Sequence, residues 1–131
     1  MENIIKALKF AVTVLGGAVS FMLGGFDKLL ITLLSLMALD YLSGIIKAVY
    51  NKSINSQIGF RGILKKVMII IVVILVSSLQ QITENNIPLR DITIMFYLTN
   101  EGISIIENLG VVIPIPKKLK DVFEQLKGEE Q

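Results

Sequence analysis

The chain of 131 residues is 53% hydrophobic and only 18% charged, whereas an ordinary soluble protein carries about 25% charged residues. With a mean hydropathy of +0.68, this composition indicates an integral membrane protein. The chain has no cysteine, which excludes disulfides and thiolate metal sites. It also has no histidine, which removes the usual general base and the commonest metal ligand. We therefore expect neither an enzyme nor a bound cofactor, and the formal net charge of +2 matters less than where the charges lie.

The first apolar segment covers residues 4–26, with Lys6 and Lys9 near its start. Its apolar run has no clean small-x-small cleavage site, which fits a retained helix better than a cleaved signal peptide. It is expected either to cross the membrane or to lie at its surface. Gly16, Ser20 and Gly24 recur every four residues, a spacing that lets two helices approach closely in lipid. We predict that these three residues form a subunit contact, although glycine is in any case common in membrane helices.

The second candidate span covers residues 29–50 and contains Asp40 near its middle. A carboxylate at the bilayer centre costs about 2.5–3.5 kcal/mol on insertion scales, so Asp40 should face protein or water rather than lipid. Gly44 and Lys47 lie on the same helix face. This orientation suits a bond to a neighbouring helix as well as a place in a pore, and both interpretations stay open.

A polar loop is predicted over residues 51–62, between the second and third spans. Its basic side chains, together with two lysines that follow it, should lie on the cytoplasmic side against anionic lipid: Lys52, Arg61, Lys65 and Lys66. The third span then contains the most apolar stretch of the chain, residues 67–79, which has no charge and no helix breaker. Extended to residues 63–82 it reaches about 20 residues, the length of a helix that crosses a bilayer.

The fourth segment, residues 90–112, carries its polar side chains along one side of a helix. Such a helix either lies in the membrane interface or spans while lining water or protein. Its second half is acidic, which disfavours an anionic surface, so we expect it to span, with the interfacial alternative open. The polar stripe, predicted to line a pore or a packing interface, includes Asn100, Glu101, Ser104, Glu107 and Asn108.

The division predicted from these segments is an N-terminal hydrophobic helix at residues 1–28, a three-helix core at 29–113 and a charged tail at 114–131. With both termini and the 51–62 loop in the cytoplasm, all 13 basic residues except Lys28 and Arg90 fall inside. That asymmetry is a strong positive-inside signal. The sequence thus predicts an all-α, multi-pass membrane protein with three or four transmembrane helices.

Four short motifs follow one another along residues 30–126: Asp40-Tyr41-x-x-Gly44, Ser56-x-x-Gly59-x-x-Gly62 with Lys65-Lys66, Asn100-Glu101-x-x-Ser104-Ile105-x-Glu107-Asn108 and Ile113-Pro114-x-Pro116-Lys117-x-Leu119. In their order and spacing they resemble the toxin-secretion and phage-lysis holins, small proteins of phages and of large clostridial toxin loci. The third motif, followed by the Pro-x-Pro exit, is the most specific part.

The resemblance implies a protein of the bacterial cytoplasmic membrane without enzymatic activity, which self-associates and opens pores or lesions. The implied partners are membrane lipid, other copies of the chain and an exported cargo, either an endolysin or a large toxin without a signal peptide. Neither a cofactor nor a nucleic acid is implied. In such an assembly we expect Asp40 and Gly44 in the packing core and the stripe of residues 100–108 toward the assembly interior or a neighbouring subunit.

Two other classes of protein stay open. In a small ion channel or transporter subunit, Asp40 and Glu101 could form a cation path. In a membrane-anchored adaptor there would be no pore at any expression level. The size of the solute that passes distinguishes the three classes, because holin lesions pass proteins, a channel passes ions and an adaptor passes neither.

Overall fold

The computed structural model describes residues 1–84 and 86–130, so residue 131 of the predicted tail lies outside the described part. It contains five α-helices: α1 (Glu2–Met22), α2 (Lys28–Tyr50), α3 (Ser56–Ile82), α4 (Leu89–Val112) and α5 (Lys117–Glu130). This confirms the all-α prediction. By length and apolar composition, α1, α2 and α3 are each able to cross a membrane. Helix α4 is of similar length but carries more polar residues and is less hydrophobic than these three helices. That it crosses the membrane therefore remains a prediction.

Local capping explains where α2 and α3 begin. The Asp27 carboxylate accepts a hydrogen bond from the Leu30 N–H at 2.9 Å, and the Asn55 side chain accepts one from the Gln57 N–H at 2.8 Å. Each cap satisfies an N–H group that the first helical turn leaves without a partner.

The loop predicted over residues 51–62 is shorter than expected, because α3 already begins at Ser56. Two glycines in the first turns of α3, Gly59 and Gly62, do not break the helix, since the ring of Tyr41 lies over them. A Cβ built at Gly62 would lie 3.6 Å from that ring, and one built at Gly59 would lie 3.4 Å from the Tyr41 hydroxyl. Packing from α2 thus compensates for the low helix propensity of glycine.

Helices α2, α3 and α4 form a three-helix bundle. Helix α4 runs parallel to α2, since Asp27 contacts Arg90 near both N-terminal ends and Gly44 faces Asn108 near both C-terminal ends. Helix α3 runs in the opposite direction. The buried apolar core lies in the half of the bundle nearest the α1–α2 turn and consists of Leu23, Leu30, Leu33, Met37, Val73, Ile94 and Leu98.

Helix α1 stands largely outside this bundle. It has no buried residue, and the space beside Gly16 is open. The predicted ladder of Gly16, Ser20 and Gly24 is wrong at its last member, because α1 ends at Met22 and Gly24 lies in the following turn with a φ of +80°. Only Gly16 and Ser20 share a helix, and their role in a subunit contact stays a prediction.

Helix α5 folds back along α4 after a turn at residues 113–116, where two prolines stop α4. The ring of Phe123 packs directly on the backbone of Gly102, which is buried. This contact fixes the level of α5, because it places the middle of the charged tail helix beside the middle of α4.

Candidate functional site

Three charged side chains from three helices meet in the middle of the bundle. Lys66 of α3 lies between Asp40 of α2 and Glu101 of α4, with its Nζ 2.8 Å from a carboxylate oxygen of each. The side chains are 16%, 17% and 9% exposed, respectively. Each residue lies ten or more positions inside its own helix, so the ion pairs are about 15 Å or more along the axis from the helix ends.

Neutral polar side chains complete the bonding of Asp40. The Asn108 amide donates to Asp40 Oδ1 at 3.2 Å and to Ser43 Oγ at 3.1 Å, and the Ser43 hydroxyl donates to the Asp40 carbonyl at 3.0 Å. The Ser104 hydroxyl also bonds the Asp40 carboxylate. We call these six residues, Asp40, Ser43, Lys66, Glu101, Ser104 and Asn108, the inner cluster. Within the described residues, every buried side-chain nitrogen or oxygen has a partner.

The chemistry of the inner cluster is that of a cross-link between helices. Two carboxylates share a single ammonium, which leaves one formal negative charge. Charges of this kind are stable away from water only while they are paired and hydrogen-bonded. Moving any one of the three helices would leave at least one charge without its partner, so the cluster fixes the register of the bundle. The described residues contain no group of three or more acidic, His or Cys side chains that could hold a metal ion.

A second polar group, the outer cluster, lies at the opposite end of α4 from α5. Its centre is the buried guanidinium of Arg90, which donates to the carbonyls of Leu23 at 2.7 Å and Gly25 at 2.9 Å. The same guanidinium contacts the carboxylates of Asp27 at 2.8 Å and Asp91 at 3.2 Å. The outer cluster therefore ties the turn between α1 and α2 to the start of α4.

Gly24 makes room for this arrangement. A Cβ at that position would lie 2.6 Å from Arg90 Nε, and the positive φ also favours glycine. The hydrogen bond from Arg90 lowers the pKa of the Asp27 carboxyl below its ordinary value, against the opposing effect of partial burial.

The structure brings several of the predicted site residues together. Asp40, Glu101, Ser104 and Asn108 belong to the inner cluster, and a Cβ at Gly44 would lie 3.7 Å from the Asn108 amide. The bonds of the cluster are all formed within one chain, and the orientation of the stripe toward an assembly interior or a neighbouring subunit stays a prediction. The candidates that lie outside it are Lys47, Asn100 and Glu107, of which only Glu107 is fully exposed.

The placement of Lys66 corrects the sequence interpretation. We expected it at the lipid surface with Lys52, Arg61 and Lys65, and those three are indeed exposed. Lys66 instead points into the bundle, ten residues inside α3, where its ammonium bonds Asp40 and Glu101. A signal was present in the sequence: Lys66 precedes the buried Val73 by seven residues, the spacing of one helix face.

The outer cluster was missed altogether, because Arg90 was assigned only to the outer side of the membrane. Two of its acceptors are backbone carbonyls, which carry no sequence signal. The glycine pair at residues 24–25 was the available sign of a turn that a side chain could approach closely.

Comparison with known proteins decides the family. The sequence model of the bacteriophage holin family matches residues 17–128, which contain the whole of both clusters. The chain belongs to the bacteriophage holin family. The predicted resemblance to holins is thereby confirmed, and holin membership together with three apolar helices identifies a membrane protein. Holins are membrane pore-forming proteins and not an enzyme family.

Curated relatives match this holin-family chain almost from end to end. An uncharacterised 14.9 kDa protein from the nagH 3′ region of Clostridium perfringens is 41% identical, over 98% of this chain and 99% of its own. A second uncharacterised C. perfringens protein is 38% identical, over 98% of this chain and 97% of its own length. An uncharacterised protein of Halalkalibacterium halodurans is 37% identical over 94% and 96%. No solved structure matches the chain.

Proposed function

We propose that this protein is a holin in the full functional sense. Copies of it assemble in the bacterial cytoplasmic membrane into a pore or lesion, through which an endolysin or a large toxin without a signal peptide leaves the cell. Family membership supports this. The structural observation that carries it is that one side of the bundle is apolar and another side is charged at the same depth along the helix axes.

The apolar side consists of the outer faces of α2 and α3. At the level of the inner cluster, Leu39 and Leu42 of α2 are 50% and 54% exposed, and Met68 of α3 is 59% exposed. These side chains suit contact with lipid tails, as does α1, which has no buried residue.

The charged side consists of α5 and the adjoining face of α4. Because Phe123 packs on Gly102, the charged residues of α5 lie beside the half of α4 that contains Glu101 and Asn108. Lys120 and Glu124 are 56% and 55% exposed there. Each charge would cost about 2.5–3.5 kcal/mol in contact with lipid, so this side of the bundle requires water or protein at membrane depth.

A ring of copies meets both requirements. If the charged sides face inward they enclose water, and the apolar faces of α2 and α3 remain in contact with lipid. The inner cluster has a separate task, since it keeps the buried charges of one protomer paired before and after assembly. In this arrangement the N-terminus, residues 51–55 and the turn at residues 113–116 lie on the cytoplasmic side, and the outer cluster lies on the far side.

The test uses purified protein in lipid vesicles that contain an ion reporter and a folded marker protein. We expect both to be released, with a cross-linked ladder of oligomers at the same protein density. Release of ions alone would favour a small channel, and release of neither would favour an adaptor.

A substitution tests the inward orientation in the same assay. Glu107→Leu replaces one exposed charge of this side by an apolar side chain, and we expect slower marker release at equal membrane content. Glu2→Leu is the matched control, because it removes another exposed acid, at the start of α1. Equal release from the two variants would remove the α4–α5 side from the pore.

Orientation is tested with a cysteine at Ser53, since the chain has no native cysteine. A membrane-impermeant thiol reagent should label it only from the cytoplasmic side.

A further inference from the structure

The position of α5 raises a question that pore formation alone does not answer. A charged helix lies on the side of the bundle that would face the water-filled interior, at the level of the inner cluster. An α-helix with its side chains is about 10–12 Å across, so one helix from each subunit occupies much of a narrow lumen.

The contact between α5 and α4 includes one close and specific approach. The Phe123 ring lies so close to Gly102 that any larger residue there would overlap three carbons of the ring. Between the two helices, a crevice is lined by Ile106, Glu107, Gly110, Ile115, Lys117 and Lys120. The Lys120–Glu124 pair lies within α5 and is largely exposed, so it adds little to docking.

The linker allows α5 to leave without unfolding. It is the four-residue turn at 113–116, and its two prolines lack an N–H group that would need a partner. Helix α5 keeps its first backbone hydrogen bond whether it is docked or released, because the Leu119 N–H donates to the nearby Pro116 carbonyl at 3.1 Å. Its charged side chains are hydrated whether it is docked or released.

We propose that α5 is a plug: Phe123 holds it against Gly102 in the closed assembly, and its release toward the cytoplasm opens the lumen. This inference rests on the proposed pore function. It goes further by assigning control of the pore to one aromatic contact.

The first experiment weakens the contact. Phe123→Ala removes the ring, and the lost apolar burial should shift the balance between docked and released α5 by about tenfold or more. Marker release should accelerate correspondingly at equal membrane content. Val122→Ala is the matched control, because Val122 is the adjacent apolar residue of α5 and is 52% exposed. Equal rates for the two variants would overturn the plug.

The second experiment strengthens the contact. Ile106→Cys with Lys120→Cys places two thiols on opposite walls of the crevice, in a chain that otherwise has none. We expect a disulfide to form in the membrane, to suppress marker release, and to restore release when it is reduced. Each single-cysteine variant should respond to neither treatment.

The outcomes separate the plug from the pore. Failure of the disulfide to form in membranes, or equal release before and after its reduction, would overturn the plug and leave the pore in place. Absence of release from the wild-type protein and from every variant would overturn the pore and the plug together.

Discussion

The inner and outer clusters each join three parts of the chain, but they differ in what surrounds them. In the inner cluster all three charged side chains are at most 17% exposed. Of the charged side chains in the outer cluster only Arg90 is buried, and the carboxylates of Asp27 and Asp91 are 50% and 58% exposed. Water can replace a lost partner at the outer end, whereas only protein can do so in the middle. The same type of ion pair should therefore contribute very differently to stability at the two places.

The largest effect is expected from Lys66→Met. This change removes the ammonium and leaves two buried carboxylates side by side, and losing one partner of a buried ion pair costs about 3–5 kcal/mol. The variant should lose most of its folded fraction in mild detergent, as measured by thermal unfolding with circular dichroism.

Two comparisons show whether that loss comes from charge. Lys65→Met removes the exposed neighbour and should unfold within a degree or two of the wild type, about the scale of a neutral surface change. The triple variant Asp40→Asn, Lys66→Met, Glu101→Gln removes all three charges together and should recover much of the stability. If the triple variant is no more stable than Lys66→Met, the inner cluster acts through packing and not through charge.

An intermediate effect is expected from Arg90→Lys. Lysine keeps the charge but lacks the planar group that reaches two carbonyls and two carboxylates at once. The Leu23 carbonyl keeps its hydrogen bond from the Ser77 hydroxyl at 3.2 Å, but loss of the charged hydrogen bonds from the guanidinium should cost about 1.5–3 kcal/mol. Hydrogen exchange at residues 23–27 should increase while the region around Asp40 stays protected. Equal loss of protection in both regions would show that the two clusters are not separate.

The contrast between the clusters also explains what the sequence could predict. The helices were predictable, because long apolar runs without breakers leave few alternatives. The inward orientation of Asp40 was predictable from the cost of placing a carboxylate in lipid. The choice between Lys65 and Lys66 was harder, because residues 67–79 are apolar on every side of the helix and give only a weak sign of which face meets α2 and α4.

The polar stripe of α4 illustrates a different limit. Its residues were correctly assigned to one side of a helix, but periodicity does not reveal what covers that side. Glu101 and Asn108 are covered by α2 and α3 of the same chain, because α4 lies parallel to α2 and brings Asn108 beside Asp40. Glu107, on the same stripe, stays exposed. The part of the stripe left for assembly is therefore smaller than the sequence indicates.

The smallest effect is expected from Asp27→Asn, and it depends on pH. The pKa of Asp27 is lowered from its ordinary value of 3.8 by the hydrogen bond from Arg90. A carboxyl with a lowered folded-state pKa stabilises the protein above its unfolded pKa, and this contribution disappears as the pH falls through the folded value. The wild type should therefore lose slightly more stability than Asp27→Asn when the pH falls from 6 to below about 3.

The difference should be about 0.2–1 kcal/mol, the range of exposed ion pairs, because Asp27 is half exposed and solvent screens the charge. Asparagine caps a helix about as well as aspartate, so the substitution removes the charge of Asp27 but keeps the cap at the start of α2. Unfolding curves in detergent across this pH range measure the effect. In an Arg90→Met background the dependence on Asp27 should shrink, since the largest cause of its lowered pKa is gone and only backbone N–H bonds still lower it. If it persists there undiminished, the pH response arises elsewhere, and the inner cluster with its two carboxylates becomes the place to examine.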